Sequence, residues 1–221
     1  MDIDKILIDT TTMTTSKGTT PVVSSLNQYC LGFILAGGRS TRMGKDKATV
    51  QLGGHTMLQI AQHLCHNTTI EKHFVVGGRF ADLHEKVGGY GPGRAICDLI
   101  TQMFNERDRR NGYALFIPVD MPFLTAVSVQ NLIYLAQTTQ RAIYYKDHYL
   151  PLVAPLTAEN VQQLQILSKQ NQSPSVRSVL CTMGAMSTSF MGKDNELANI
   201  NSPEELKAVA ELGLARASSQ R

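Results

Sequence analysis

Between Leu35 and Lys47 the chain reads LAGGRSTRMGKDK, so that a glycine pair is followed within one loop by four long cations, Arg39, Arg42, Lys45 and Lys47. Gly37 and Gly38 can take positive φ, which lets consecutive backbone N–H groups approach an anion closely. Arg and Lys supply the charge that balances a polyphosphate. Two common phosphate loops are excluded by the spelling. A Walker A loop needs a glycine where Arg39 stands and a hydroxyl residue where Asp46 stands. A dinucleotide fingerprint needs G-x-G-x-x-G, whereas the next glycine after the pair is Gly44. A glycine pair alone is compatible with a plain tight turn, and Arg42 and Lys47 with ordinary solvated charges. Their concentration in one loop favours an anion cradle.

A second feature is Asp120, in the run IPVDMPFL at the end of an apolar segment. It either caps the turn before Pro122 or offers a carboxylate to a hard cation such as Mg²⁺, which takes oxygen ligands and keeps waters and substrate phosphates. A third is Asn199 and Asn201 in NINSPEEL. These either satisfy backbone groups ahead of a helix or contact a substrate. His63, Cys65 and His66 lie close together, but two histidines three residues apart with no third carboxylate make a weak metal motif, and they read as surface and core.

Taken in order and spacing, these segments resemble the molybdenum cofactor guanylyltransferases, within the glycosyltransferase-A-like nucleotidyltransferases. The family signature is LAGG, then S-x-RMG, then a DK pair; here these are Leu35 to Gly38, Ser40 to Gly44, and Asp46-Lys47. The wider group usually has Pro-Lys in place of Asp46-Lys47. IPVDMPFL is similar to the family's P-x-D-x-P-x-L, and NINSPEEL to its N-x-N-T-P-E-E-L, so the resemblance runs from Leu31 to about Leu212. It implies transfer of GMP from Mg-GTP to the terminal phosphate of molybdopterin, with release of pyrophosphate and no covalent enzyme intermediate. It also implies that Leu35, Ala36, Gly37 and Gly38 hold the nucleotide, that Arg42, Lys47 and Asp120 are the catalytic set, and that Asp120 carries the Mg²⁺. Lys47 and Asp120 would bind the nucleotide too, and Asn199 and Asn201 would contact the pterin substrate. The implied partners are GTP and molybdopterin, with transient contacts to cofactor biosynthesis proteins or acceptor molybdoenzymes.

The chain departs from the family pattern at two places. Gly91-Pro92-Gly93-Arg94-Ala95 stands where the family has G-P-L-A-G, and Gly77-Gly78 stands where an asparagine often ends the second strand. Asp82 and Glu85 are the candidates for an acidic residue beside the nucleotide. These departures leave two alternatives open: another specificity, for CTP or a different phosphate acceptor, or a non-catalytic regulatory member that binds nucleotide.

The elements that must position these residues alternate. Apolar runs predict strands at Tyr29 to Leu35, His73 to Val76, Tyr113 to Ile117, Ala142 to Tyr145, Leu150 to Ala154 and Ser187 to Met191. Amphipathic spacing predicts helices from Met57 to Cys65, Ala95 to Phe104, Thr125 to about Ala136, around Val161 to Leu167, and Val176 to Leu180. Ser202-Pro203-Glu204-Glu205 is a capping box that opens a last helix, with Gly213 as its stop. Strand and helix in alternation predict one three-layer α/β/α domain on a mainly parallel sheet, with ligands beyond the carboxyl ends of the strands.

At 221 residues the chain suits one core. Residues 1–28, rich in threonine, read as a disordered or loosely docked extension, 29–215 as the nucleotidyltransferase domain and 216–221 as a tail. A net charge of +3, with cations dispersed apart from the first loop and Arg107 to Arg110, argues against a nucleic-acid groove. The four cysteines lack a C-x-x-C pair and sit in apolar segments, as reduced thiols do. No run reaches the roughly 18 apolar residues of a membrane span, and Asp2, Asp4 and Asp9 are unlike a secretory leader or transit peptide. The expected location is the cytoplasm.

Overall fold

The computed structural model describes residues 28–37, 46–83, 90–106, 112–193, 195–202 and 204–208. The predicted extension, the C-terminal tail, Gly38, Arg42, Glu85 and Gly213 lie outside these residues, apart from the last residue of the extension, Gln28.

Six strands form one sheet: β1 (Cys30–Leu35), β4 (Lys72–Val76), β5 (Gly112–Pro118), β6 (Ile143–Tyr145), β7 (Leu152–Leu156) and β8 (Met186–Thr188), in the order β4-β1-β5-β7-β6-β8. β2 (Gln51–Leu52) and β3 (His55–Thr56) make a separate small hairpin around Gly53-Gly54, which apolar periodicity does not mark. β1 is buried along its whole length, as a strand covered on both faces must be. It pairs in parallel with β4 and β5, placing Ile34 beside Val75 and Ile117. β7 alone runs against its neighbours β5 and β6. The segment 146–151 between β6 and β7 is shorter than the dozen or so residues that a parallel crossover needs, so the chain can only turn back.

Alternation along the strands splits the core in two. Ile34, Leu115, Ile117 and Val153 face α1 (Met57–His66) and α3 (Ala126–Thr139). Leu31, Phe33, Phe116 and Ala154 face α2 (Pro92–Glu106), α4 (Ala158–Gln170) and α5 (Val176–Thr182). On this second face Phe33 stacks between Phe74 and Phe116, with ring centroids 5.7 and 5.3 Å apart. The result is the expected three-layer arrangement.

Helix starts follow local chemistry. Thr56 and Gln59 form a reciprocal capping box at α1, and Thr125, Thr157 and Ser175 cap α3, α4 and α5. α2 begins at Pro92 rather than Ala95, since proline suits the first helical position. β7 starts at Leu152 rather than Leu150, the residues before it being used in the turn. β8 covers Met186–Thr188 rather than extending to Met191. Its partner β6 has only three residues to offer, and Phe190 turns away to meet the Tyr145 ring edge-on at 4.8 Å. The last helix spans 204–208 within the described residues, with the Glu205 N–H donating to Ser202 Oγ at 3.2 Å.

Cys30, Cys65 and Cys97 are buried and Cys181 is exposed. Burial pushes the Cys30 and Cys65 thiols up to about 12, which keeps them protonated and unreactive. Among the described residues no helix is long and apolar enough to cross a membrane.

The segment that carries Asn199 and Asn201 is fastened to the start of α3 by Glu196. Its Oε2 accepts from the Thr125 and Ser128 hydroxyls at 2.9 and 2.8 Å, and its Oε1 from the Lys193 N–H at 3.1 Å. Burial opposes ionisation of this carboxyl, but those hydrogen bonds and the nearby Lys193 charge outweigh it and hold its pKa below the usual carboxylate range. A depressed folded pKa contributes stability above the unfolded value, and that stability disappears as pH falls through the folded value. Glu196→Gln is therefore expected to destabilise the protein at pH 7, with the gap to wild type starting to close below the ordinary carboxyl value of about 4.3 and closing as pH falls through the lower folded value. Urea unfolding midpoints across pH 3–7 check this; a constant gap would contradict it.

Candidate active site

The site forms where β1 and β5 end. The Ala36 and Gly37 N–H groups both donate to the Val76 carbonyl, at 2.9 and 3.0 Å, and the Val119 N–H donates to the Leu35 carbonyl at 3.1 Å. These bonds bring the exits of three parallel strands together. The glycines at the end of β4 now have a reason: at Gly78, φ is +76° and a Cβ would lie 3.1 Å from the Ala36 carbonyl oxygen. An asparagine there would crowd the backbone at the mouth of the site.

Asp46 fixes the backbone from which Lys47 projects. Its Oδ1 accepts from the Ala48 N–H at 3.0 Å, capping the single 3₁₀ turn Lys47–Thr49, and the Thr49 hydroxyl donates to its carbonyl at 2.8 Å. The Asp-Lys pair thus divides its work: the acid shapes the turn and the base reaches outward.

Lys47 Nζ lies 2.7 Å from Asp120 Oδ2 and 2.7 Å from Asn201 Oδ1. The Lys47 and Asp120 side chains retain 19% and 18% of their exposure, so the pair is shielded enough for its charges to matter and open enough for a ligand to reach. Asp120 is held through its backbone as well, its carbonyl accepting from the Ile200 N–H at 2.9 Å. Its carboxylate is thus engaged with Lys47.

A cavity of about 480 Å³ opens here, the size of a small-molecule site. Leu35, Ala36, Gly37, Lys47, Asp120 and Asn199 all line it. The structure therefore gathers every described residue of the expected set around one cavity, with Asn201 reaching it through Lys47. Pro92, Val176 and the 147–150 loop also contribute to the wall. Sequence reasoning missed that loop, although Asp147, His148 and Tyr149 between two short strands, at the carboxyl end of the sheet, carried a readable signal.

The departures from the family pattern are explained by packing. A Cβ at Gly93 would overlap the Pro174 carbonyl, so this glycine lets the start of α2 press against the 174–175 backbone. Arg94 turns away from the cavity: its Nε lies 3.0 Å from both carboxylate oxygens of Asp98, and Nη1 reaches the Gln172 carbonyl at 3.4 Å. It neither lines nor obstructs the site. Asp82 accepts from the Val75 N–H at 2.8 Å and so closes the turn after β4. Gly93→Ala is expected to cost about 1–3 kcal/mol, the usual range for overpacking, seen as a lower urea midpoint; an unchanged midpoint would show that the 174–175 segment yields freely.

Among the described residues no three His, Cys, Asp or Glu side chains cluster as a metal cage. One carboxylate on the wall of an open cavity is nonetheless a donor set that suits Mg²⁺, which relies on substrate phosphates and waters for its remaining ligands. Asp120 fits that requirement.

A family model described as the MobA-like NTP transferase domain matches residues 32–181. The chain belongs to this family. A molybdenum cofactor guanylyltransferase from Xanthomonas euvesicatoria pv. vesicatoria (strain 85-10) is 30% identical over 188 residues, covering 82% of this chain and 94% of the relative. Molybdopterin-guanine dinucleotide biosynthesis protein A from Archaeoglobus fulgidus has a similar structure, with a TM-score of 0.64 at 19% identity, over 84% of this chain and 99% of that one. The 2-C-methyl-D-erythritol 4-phosphate cytidylyltransferase from Thermus thermophilus gives 0.57 at 14% identity, over 82% and 97%. At those identities the two structures speak for the fold alone. Within the MobA-like domain, the matched interval contains Leu35, Ala36, Gly37, Lys47 and Asp120, while Asn199 and Asn201 follow it.

Proposed function

We propose that this protein is a nucleotidyltransferase that moves GMP from Mg-GTP to molybdopterin, forming the guanine dinucleotide cofactor and pyrophosphate. The observation that carries this reading is the junction of Lys47, Asp120 and Asn201 beside the Leu35 to Gly37 backbone, at one cavity. Membership of the MobA-like family and the 30% identity to a molybdenum cofactor guanylyltransferase support it.

In the reaction a terminal phosphate oxygen of molybdopterin forms a bond to the α-phosphorus of GTP as the bond to the bridging oxygen breaks, and pyrophosphate leaves with that oxygen. Attacking and departing oxygens must be in line, so the protein contributes alignment and charge neutralisation rather than a covalent intermediate. Leu35, Ala36 and Gly37, continued by Gly38, hold the nucleotide along the strand exit. Lys47 has three donors, of which two are engaged among the described residues, and directs the third at a phosphate oxygen. Arg42 adds charge from the same loop. Asp120 would hold the Mg²⁺ through its carboxylate, and the ion, when bound, neutralises phosphate charge. Asn199 contacts the acceptor from the cavity wall. Residues 29–215 serve as one catalytic unit in the cytoplasm, meeting cofactor biosynthesis proteins or acceptor molybdoenzymes transiently when product is passed on.

Pyrophosphate release measured with GTP, CTP, ATP and UTP, each with and without molybdopterin, tests this. GTP with molybdopterin is expected to give the fastest release. A preference for CTP, or nucleotide binding without release, would replace this reading with another specificity or a regulatory role.

A further inference from the structure

We infer that Asn201 is a positioning residue for Lys47: it aims the ammonium, and Glu205 in turn sets Asn201. The inference rests on the proposed nucleotidyl transfer for the task it gives Lys47, but its geometry stands in the free protein.

A lysine carries its charge on a flexible four-carbon stem, so a single carboxylate partner leaves the ammonium free to swing about that contact. Here a second acceptor arrives from 154 positions away, and Asn201 Oδ1 meets Nζ at 2.7 Å, the same distance as Asp120 Oδ2. Two fixed acceptors define the direction of the third N–H. The neutral carboxamide does this without a second negative charge, which would compete with an incoming phosphate for the ammonium.

Asn201 is itself held in place. The residue before it, Ile200, is buried and donates its N–H to the Asp120 carbonyl at 2.9 Å. Its own N–H donates to Glu205 Oε2 at 2.7 Å, and the Glu205 N–H is tied to Ser202 Oγ. The start of the last helix therefore locks the asparagine against the same aspartate that pairs with the lysine. Asn199 lines the cavity, whereas the Asn201 oxygen is spent on Lys47. The two asparagines of the N-x-N segment thus divide between cavity wall and lysine.

Two measurements on the full chain test this. In ligand-free protein carrying ¹³Cε-lysine, assigned through Lys47→Arg, the two ε protons of Lys47 should have distinct shifts in wild type. They should merge in Asn201→Ala and stay distinct in Asn201→Asp, which keeps an acceptor in place. Unchanged separation in Asn201→Ala would overturn the inference, whatever reaction the protein catalyses.

The second is a double-mutant cycle on GMP transfer. Asn201→Ala should lower kcat about tenfold, within the coupling range for residues in one hydrogen-bond network, with the molybdopterin KM unchanged. In a Lys47→Ala background the same substitution should change kcat less than about twofold, because effects that pass through one residue do not add. Additive losses, or a raised molybdopterin KM, would make Asn201 a direct acceptor contact instead. If wild type transfers no GMP while the lysine spectrum behaves as expected, the proposed function fails and the positioning role remains.

Discussion

Lys47→Ala is expected to lower GMP transfer by about 10²–10³ while leaving the fold intact, the usual cost of removing one preorganised electrostatic donor. The side chain packs into neither half of the core, and among the described residues its hydrogen bonds are the two at the cavity. The 3₁₀ turn beneath it depends on Asp46 and Thr49, which the substitution does not touch. Loss of the ammonium also leaves Asp120 without its cation, so charge in the site shifts toward negative where the triphosphate is proposed to bind. Both the KM for GTP and kcat should suffer, the first through weaker ground-state binding and the second through charge that develops in the transition state. Steady-state kinetics with matched urea midpoints check this. A variant with wild-type turnover would remove Lys47 from the chemistry.

Asp120→Asn is the second large effect, and the cleaner probe of the metal. Shape and backbone are preserved, since the carbonyl that accepts from Ile200 belongs to the main chain. The change removes one negative charge from a partly shielded site. That deprives Lys47 of its counter-charge and Mg²⁺ of the protein ligand proposed for it. Metal-assisted charge stabilisation is worth several kcal/mol, which at 1.36 kcal/mol per decade is about 10³-fold in rate. The variant should therefore lose activity on that scale and need far more Mg²⁺ to recover any of it. Titrating MgCl₂ at saturating GTP would show this as a displaced or absent activation curve. A normal Mg²⁺ response with reduced turnover would assign Asp120 to orienting Lys47 and move the metal to other ligands.

Both substitutions concern residues that were legible before any coordinates, because their chemistry is written in contiguous stretches. A strand of apolar residues ending in Gly37, a loop of cations reaching Lys47, and Asp120 emerging from the next central strand are local patterns. Local sterics and burial are enough to interpret them. The same holds for the caps at Thr125 and Ser202. Less legible were lengths and directions. β8 stops at Thr188 because its partner β6 is short, which no property of Ser189 or Phe190 reveals. β7 runs backwards because of where β6 places its start. Asp46 was legible only as half of the signature's Asp-Lys pair, and its work as a cap depends on the position of the Ala48 N–H, which the sequence does not record.

By itself, then, the amino-acid order determined the alternating architecture, the glycine- and cation-rich stretch after the first strand, and the carboxylate after the central one. The tertiary structure decided which side chains share a hydrogen bond. Asn201 and Lys47 meet across 154 positions, and the 147–150 loop joins the same wall as Leu35. The reason is physical: periodicity records which face of an element is apolar, whereas proximity between distant elements depends on strand order and docking. Those are settled only when the whole core packs.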